Sequence, residues 1–133
     1  MVLWVERKRH VSIIFSILLA IEIFYVSSLP GSKATAAIPF VAETYHFSVF
    51  FLLGFFLFFS IKGGKKTSPF YLAAALIITL IYAFSDEFHQ SFVPFRSPDL
   101  FDIFLDLIGA SISILIAGFI SKKSIQLNGE IIQ

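Results

Sequence analysis

The sequence contains no cysteine among its 133 residues. Disulfides, thiolate metal sites and a cysteine nucleophile are therefore excluded. Charge is also scarce, because only 14% of the residues are charged, against about 25% in an ordinary soluble domain. The formal net charge is +1, and the basic residues form short scattered clusters rather than one stripe. We therefore expect no nucleic-acid partner.

Apolar residues take the place of the missing charge. Hydrophobic residues make up 57% of the sequence, and the mean hydropathy is +0.88. A single soluble core of this size could not bury so much apolar surface. Four apolar segments cover residues 11–29, 40–61, 70–84 and 100–120. A spanning helix needs about 17–25 residues, so we extend the third segment to residue 89. The sequence predicts an all-α membrane protein with four transmembrane helices.

The distribution of lysine and arginine predicts the orientation. Eight of the ten lie before the first segment, between the second and third, or after the fourth, whereas Lys33 and Arg96 lie in the other two connections. By the positive-inside rule, both termini are cytoplasmic in a multi-pass protein of the cell membrane. A cleaved signal peptide is a competing interpretation of the first segment, but the segment is too long and contains Glu22.

We assign one domain and a tail. Residues 1–121 form the four-helix transmembrane domain, and residues 122–133 form a short polar cytoplasmic tail. The polar residues from 121 onward predict a frayed chain end. The sequence gives no oligomeric state.

Ionisable side chains gather in the half of each segment that faces away from the cytoplasm in this orientation. Such groups cost several kcal/mol in a membrane and usually face a protein interior or a wet cavity. If the helices turn these side chains toward one another, they line one polar pocket. The candidates are Glu22, Glu43, His46, Tyr82, Asp86, His89, Gln90, Arg96, Asp102 and Asp106.

Two histidines suggest acid–base chemistry. His46 and His89 each follow an acid by three residues, as in a general base oriented by a carboxylate or in half of a metal site. A second interpretation is an interfacial histidine that tolerates wet headgroups. We predict catalytic roles for His46, Asp86, His89, Gln90 and Asp102, and substrate-binding roles for Glu22, Glu43, Tyr82 and Arg96.

The acids suggest a cation. Carboxylates this crowded need a shared proton or a cation, because like charges a few ångströms apart cannot all ionise. We predict Asp102 and Asp106 as metal ligands, and their oxygen atoms favour calcium, magnesium or manganese. The sequence leaves open whether the cofactor is this divalent cation or none.

The loop before the fourth helix carries a further expectation. Ser97 is predicted as the N-cap, with Pro98 at the first helical position. Arg96 then combines with free backbone N–H groups as an anion seat, or it pairs with Asp99 or Asp102.

Four other positions are expected to have no role in chemistry. Glu87 points away from Asp86 on the helix and is expected at a solvated rim. Tyr45 is expected as an interfacial ring. Gly109 and Ser113 are expected to pack in a small-residue seam.

One motif resembles a known family. The sequence from Asp86 to Asp102 is similar to the D-E-x-x-Q-x-F-x-P-G-R-x-x-x-x-x-D signature of the VanZ-like membrane proteins, whose founding member is associated with resistance to the glycopeptide teicoplanin. The resemblance extends over nearly the whole chain, from residues 23–30 through His46 to Gly109.

This resemblance implies the architecture of a four-helix membrane protein. From the cluster of ionisable residues in that architecture, we expect the protein to act on an amphipathic, lipid-linked substrate at the extracytoplasmic leaflet. The expected chemistry is transfer or hydrolysis at a phosphate-linked or cell-envelope headgroup, so the expected partner is a membrane lipid or a lipid-linked envelope precursor. The alternative is a non-catalytic protein that binds the antibiotic or precursor, or a structural accessory subunit.

The chain departs from the family pattern at several positions. Phe95 replaces a glycine, which puts the tight turn before Arg96 in question. Ala42 and Glu43 replace Asp-Lys, which removes a cation near the histidine. Asp106 replaces an asparagine and adds a negative charge.

Overall fold

Four helices make up the structure. The computed structural model describes residues 8–31 and 40–130, with side chains as far as residue 123. Each helix is long and apolar enough to cross a membrane, and no strand occurs within those ranges. This confirms the predicted all-α architecture. The helices are α1 (Arg9–Ser27), α2 (Val41–Lys62), α3 (Pro69–Gln90) and α4 (Leu100–Glu130).

The helix ends differ from the sequence prediction in two places. α4 begins at Leu100, and the backbone N–H of Phe101 donates to Asp99 Oδ1 at 2.8 Å. Asp99 is therefore the N-cap, and the prediction of Ser97 was wrong. α4 also continues to Glu130, through the segment that was expected to fray. Some predictions concern positions outside the described residues. These positions are residues 131–133 of the predicted tail, and Arg7 and Lys33, which were counted for the orientation.

α2 occupies the centre of the bundle. It contacts all three other helices, and its interface with α4 is the most extensive in the described chain. A Cβ built on Gly109 of α4 would overlap the carbonyl oxygen of Phe47. A Cβ on Gly54 of α2 would lie 2.8 Å from Ser113 Oγ. The predicted small-residue seam is confirmed, because only hydrogen at these positions allows the two backbones to approach so closely.

Apolar side chains fill the middle of the bundle and cover its outside. One buried layer lies toward the start of α2, and another lies toward its end. Many large apolar side chains on the outer surface are exposed, as expected where lipid replaces water. The first layer contains Ile23, Val49, Phe50, Leu53, Ala83 and Ile103; the second contains Phe58, Phe59, Ala75, Ala110, Ile114 and Ala117.

The two ends of the bundle have opposite character. At one end α1 and α3 finish while α2 and α4 begin. We call this the acidic end, and its side chains are Glu22, Asp86, Glu87, Asp102 and Asp106. The opposite end carries Arg9, Lys62, Lys65 and Lys66, and we call it the basic end.

Candidate functional site at the acidic end

A histidine held by a carboxylate lies at the centre of the acidic end. His46 of α2 and Asp106 of α4 are 4% and 0% exposed, and His46 Nδ1 lies 3.0 Å from Asp106 Oδ1. The close approach at Gly109, less than one turn beyond Asp106, brings the two helices near enough for this contact. A carboxylate that accepts from Nδ1 fixes the ring and leaves Nε2 for other partners.

Two more acids face His46 Nε2. Asp102 Oδ2 lies 3.6 Å from Nε2, which is too long for a hydrogen bond. One ligand atom from each of His46, Glu87 and Asp102 lies within 4.8 Å of the other two. Asp106 instead contacts the opposite nitrogen of the imidazole. Side chains from α2, α3 and α4 therefore converge here.

Glu87 is not at a solvated rim, so that prediction was wrong. The residue is 3% exposed, and its Oε2 accepts the backbone N–H of Asp99 at 2.7 Å. This N–H is at the start of α4, where backbone donors have no partner within the helix. Glu87 lies on the face of α3 that is turned away from α1. The first residues of α4 lie beside that face.

Asp86 and Gln90 form a hydrogen-bonded link across the site. Asp86 accepts from Ser27 Oγ at 2.6 Å and from Gln90 Nε2 at 3.0 Å. The same Gln90 nitrogen lies 3.2 Å from Glu87 Oε1. A continuous polar network thus runs from α1, through the end of α3, to the neighbourhood of His46. Ser27 was missed by the sequence reasoning, although it lies in the segment that carries the family resemblance.

Arg96 ties the loop between α3 and α4 to the end of α1. Its guanidinium donates to the carbonyl oxygens of Leu29 and Val26, both at 3.1 Å, and to Gln90 Oε1 at 3.3 Å. The predicted pairing with Asp99 or Asp102 is not observed within the described residues. The loop is held further by the N–H of Gly31, which donates to the carbonyl of Pro94 at 3.1 Å.

The turn before Arg96 forms without the glycine of the family signature. Phe95 occupies the left-handed region with φ 61°, where a side chain is strained. Phe95 is 91% exposed, so no packing of its side chain offsets this strain. The tight turn is therefore kept at the expense of backbone strain.

Glu22 turns into the bundle rather than toward lipid. Tyr45 donates to Glu22 Oε1 at 3.0 Å, and Glu22 Oε2 is buried without a hydrogen-bond partner among the described residues. Tyr82 donates to the carbonyl of Ala20 at 2.5 Å. Tyr45 was expected to be an interfacial ring. A buried acid at the same depth was the signal that could have identified Tyr45 as its partner.

His89 does not join His46. Its Nε2 lies 2.9 Å from Ser28 Oγ, and its ring stacks on Phe24 with 4.6 Å between centroids. Both contacts are with α1 and the residue that follows it. Glu43 is half-buried at the start of α2 and makes no hydrogen bond among the described residues. The structure thus brings together only part of the predicted set.

This arrangement can move a proton or hold a cation. Asp106 orients the imidazole, and Nε2 faces the carboxylates of Glu87 and Asp102. Carboxylates this close cannot all be ionised without a shared proton or a cation. Arg96 has five N–H groups, three of which are used on the protein.

Comparisons with known proteins agree with the architecture. Residues 19–121 match the family model described as VanZ/LLP1. An uncharacterised protein of the fission yeast Schizosaccharomyces pombe is 29% identical over 121 residues, which cover 90% of this chain and 69% of the yeast protein. No solved structure matches the chain.

Proposed function

This chain belongs to the VanZ/LLP1 family, and we propose that it transfers or hydrolyses a phosphate-linked lipid headgroup at the extracytoplasmic leaflet. The observation that carries the proposal is the buried His46, held by Asp106 with Nε2 directed at Glu87 and Asp102. An ionisable cluster of this kind is costly in a membrane and usually serves function.

The histidine is the proposed general base. Its Nε2 takes the proton of a water or an acceptor hydroxyl while that oxygen attacks phosphorus, and the proton then passes to the leaving oxygen. Asp106 keeps the imidazole in the orientation and tautomer that this step needs. Base catalysis by a positioned side chain contributes about 10²–10⁴-fold.

Arg96 is the proposed phosphate contact. Two of its five N–H groups remain after the three that hold the loop, and the residue is half-buried. A planar guanidinium suits phosphate better than a lysine does, because it donates two parallel hydrogen bonds.

Membrane lipids and lipid-linked envelope precursors both carry the phosphate linkage on which the proposed site would act. A role in glycopeptide resistance would follow indirectly, through a changed envelope.

A labelling experiment tests the orientation of the acidic end. Ser97 and Gly64 are both exposed, at opposite ends of the bundle. A cysteine at Ser97 should react with a membrane-impermeant maleimide in intact cells, and a cysteine at Gly64 should react only after lysis. Reaction of position 64 from outside would reverse the proposed orientation.

The activity is tested by mass spectrometry of lipids and envelope precursors from cells with and without the protein. We expect a headgroup change that the Asp102→Asn variant abolishes while the variant still inserts and folds. Ser16→Ala is the control, because Ser16 is a buried polar residue at the basic end. If a well-folded Asp102→Asn variant produced the same headgroup change as the wild type, the catalytic proposal would be contradicted.

A binding or structural role is the second candidate. Asp86, Gln90 and Arg96 are largely satisfied by one another and by backbone groups, as expected of residues that fix packing. Under this candidate the lipid profile is the same with and without the protein, and Asp102→Asn is neutral or stabilising because it lowers carboxylate repulsion.

A further inference from the structure

We propose that His46, Glu87 and Asp102 bind a zinc ion, with one coordination position left for water or substrate. The proposal deepens the proposed function, because a zinc-bound water would then supply the nucleophile and His46 would act as a ligand rather than as the base. Zinc binding itself can be measured without any activity.

The ligand atoms are already close together. His46 Nε2 and Asp102 Oδ2 are 3.6 Å apart. Two ligands bound at about 2.0–2.1 Å with a tetrahedral angle between them are roughly 3.4 Å apart. The Glu87 carboxylate completes a group whose members all lie within 4.8 Å, so a small side-chain rotation closes the set.

His46 is a buried residue whose Nε2 lies near Asp102 and makes no hydrogen bond within the described part of the chain. The residue is 4% exposed, and among the described residues its only hydrogen bond is made by Nδ1. This nitrogen is therefore available to bind an ion. Behind the imidazole, Asp106 Oδ2 is buried without a hydrogen-bond partner among the described residues, and such an atom costs free energy.

Two of the three ligands are already oriented by a second residue. Asp106 holds His46 at Nδ1, which is the common arrangement behind a metal-bound histidine. Glu87 accepts from the backbone of Asp99 and from the amide of Gln90. These contacts fix the donor atoms before an ion arrives, which lowers the entropy lost on binding.

The ligand chemistry favours zinc over calcium and magnesium. One imidazole nitrogen and two carboxylates suit zinc, whereas calcium and magnesium prefer oxygen alone. Three protein ligands with an open fourth position are typical of catalytic zinc. The site therefore differs from the predicted oxygen site of Asp102 and Asp106, because the histidine and Glu87 take part and Asp106 supports the histidine.

The test is a zinc titration of the purified full-length protein in detergent, followed by calorimetry, with the metal content measured after purification without chelator. We expect one zinc per chain and no comparable heat with magnesium. Glu87→Gln and Asp102→Asn should each weaken zinc binding about tenfold or more, and Asp106→Asn about 10–100-fold. His89→Gln is the matched histidine control and should bind zinc like the wild type.

A second readout protects the test against misfolded variants. Zinc should raise the melting temperature of the wild type, because it binds the folded state, and should not raise that of Asp102→Asn. Zinc binding unchanged in Glu87→Gln and Asp102→Asn, or no zinc binding by the wild type, would overturn the inference. If the protein still changes headgroups after zinc is removed with a chelator, the proposed function stands and a catalytic role for zinc is contradicted. If the protein binds zinc but changes no headgroup, the zinc site stands and the proposed function is contradicted.

Discussion

The two ends of the bundle use polar side chains in different ways. At the basic end, Ser16 and Ser60 each donate to the carbonyl four residues earlier in their own helix. At the acidic end, Ser27 Oγ also lies 2.7 Å from the carbonyl of Ile23, four residues earlier, but it bonds Asp86 of another helix as well, and His46 bonds Asp106. Those acidic-end partners are 59 and 60 residues apart in sequence.

This difference separates local from tertiary stabilisation. A hydroxyl that bonds its own helix satisfies itself wherever the helix lies. A bond between helices requires one distance and one rotation, so it specifies how the helices pack. Cross-helix contacts do occur at the basic end, between Ser16 and Ser60 and between Thr67 and Ser121, but they join neutral hydroxyls. The acidic end joins charged groups in a place where they are costly.

The largest expected effect comes from removing the carboxylate behind His46. Asp106→Asn should lower the headgroup activity about 100-fold, because the imidazole loses its orienting charge. The change is nearly isosteric, so the variant should still fold. Activity is measured by lipid mass spectrometry, and folding by thermal stability in detergent.

Ser16→Ala at the basic end is the matched control for this comparison. It should keep full activity and lose about 1 kcal/mol of stability or less. Equal activity in the two variants would remove the functional distinction between the ends.

The second effect concerns the seam that links the two ends. Gly109→Ala places a methyl group against the carbonyl of Phe47, so α2 and α4 must separate. We expect a loss of about 2 kcal/mol in the free energy of unfolding. The same variant should lose activity, because the seam sets the contact between His46 and Asp106.

Gly64→Ala is the control for the seam, since a Cβ at Gly64 meets nothing within 4 Å. Its stability should change by about 0.5 kcal/mol or less. Unfolding in denaturing detergent gives both values, and a Gly109→Ala variant as stable as Gly64→Ala would show that the helices do not pack as closely as described.

The third effect compares two arginines that both donate to backbone carbonyls. Among the described residues, Arg96 makes three hydrogen bonds, whereas Arg9 makes one through Nε to the carbonyl of Ser60, at 2.8 Å. Arg96→Lys should cost about 1.5 kcal/mol, because lysine cannot reproduce the planar arrangement of donors. Arg9→Lys should cost about 0.5 kcal/mol. Melting temperatures measured side by side decide the order, and a larger loss for Arg9→Lys would contradict it.

The smallest effect is a gain. Phe95→Gly removes a strained left-handed residue, which relieves about 1–2 kcal/mol against about 0.5–1 kcal/mol of added unfolded-state entropy. We expect a net stabilisation of about 0.5 kcal/mol. Phe92→Gly is the control, because Phe92 has no positive φ and should be destabilised. If Phe95→Gly were no more stable than Phe92→Gly, the result would argue against backbone strain at Phe95.

Most of the fold was predictable, whereas the site was predictable only in part. The sequence placed His46, Asp86, Gln90, Asp102 and Asp106 at one end of the bundle, and they lie there. Their partners were harder to predict. A helical repeat of 3.6 residues gives the direction of a side chain on its own helix, but it does not say which neighbour lies in that direction.

Glu87 and His89 illustrate this limit. The helical repeat already placed Glu87 and His89 on different faces of α3. Glu87 was predicted to face solvent and His89 to face the pocket. In the structure the start of α4 lies beside Glu87, and the end of α1 lies beside His89. Glu87 therefore belongs to the site around His46, and His89 lies outside it, which is the opposite of the prediction.

By itself, the sequence determined the four helices and the end at which the ionisable groups gather. Hydropathy and spacing are properties of one segment at a time, so no knowledge of the packing was needed. The tertiary structure alone decided that His46 is held by Asp106 and faces Glu87 and Asp102. That pairing depends on how closely α2 approaches α4, because the glycine seam, and not the order of residues along the chain, sets the distance between them.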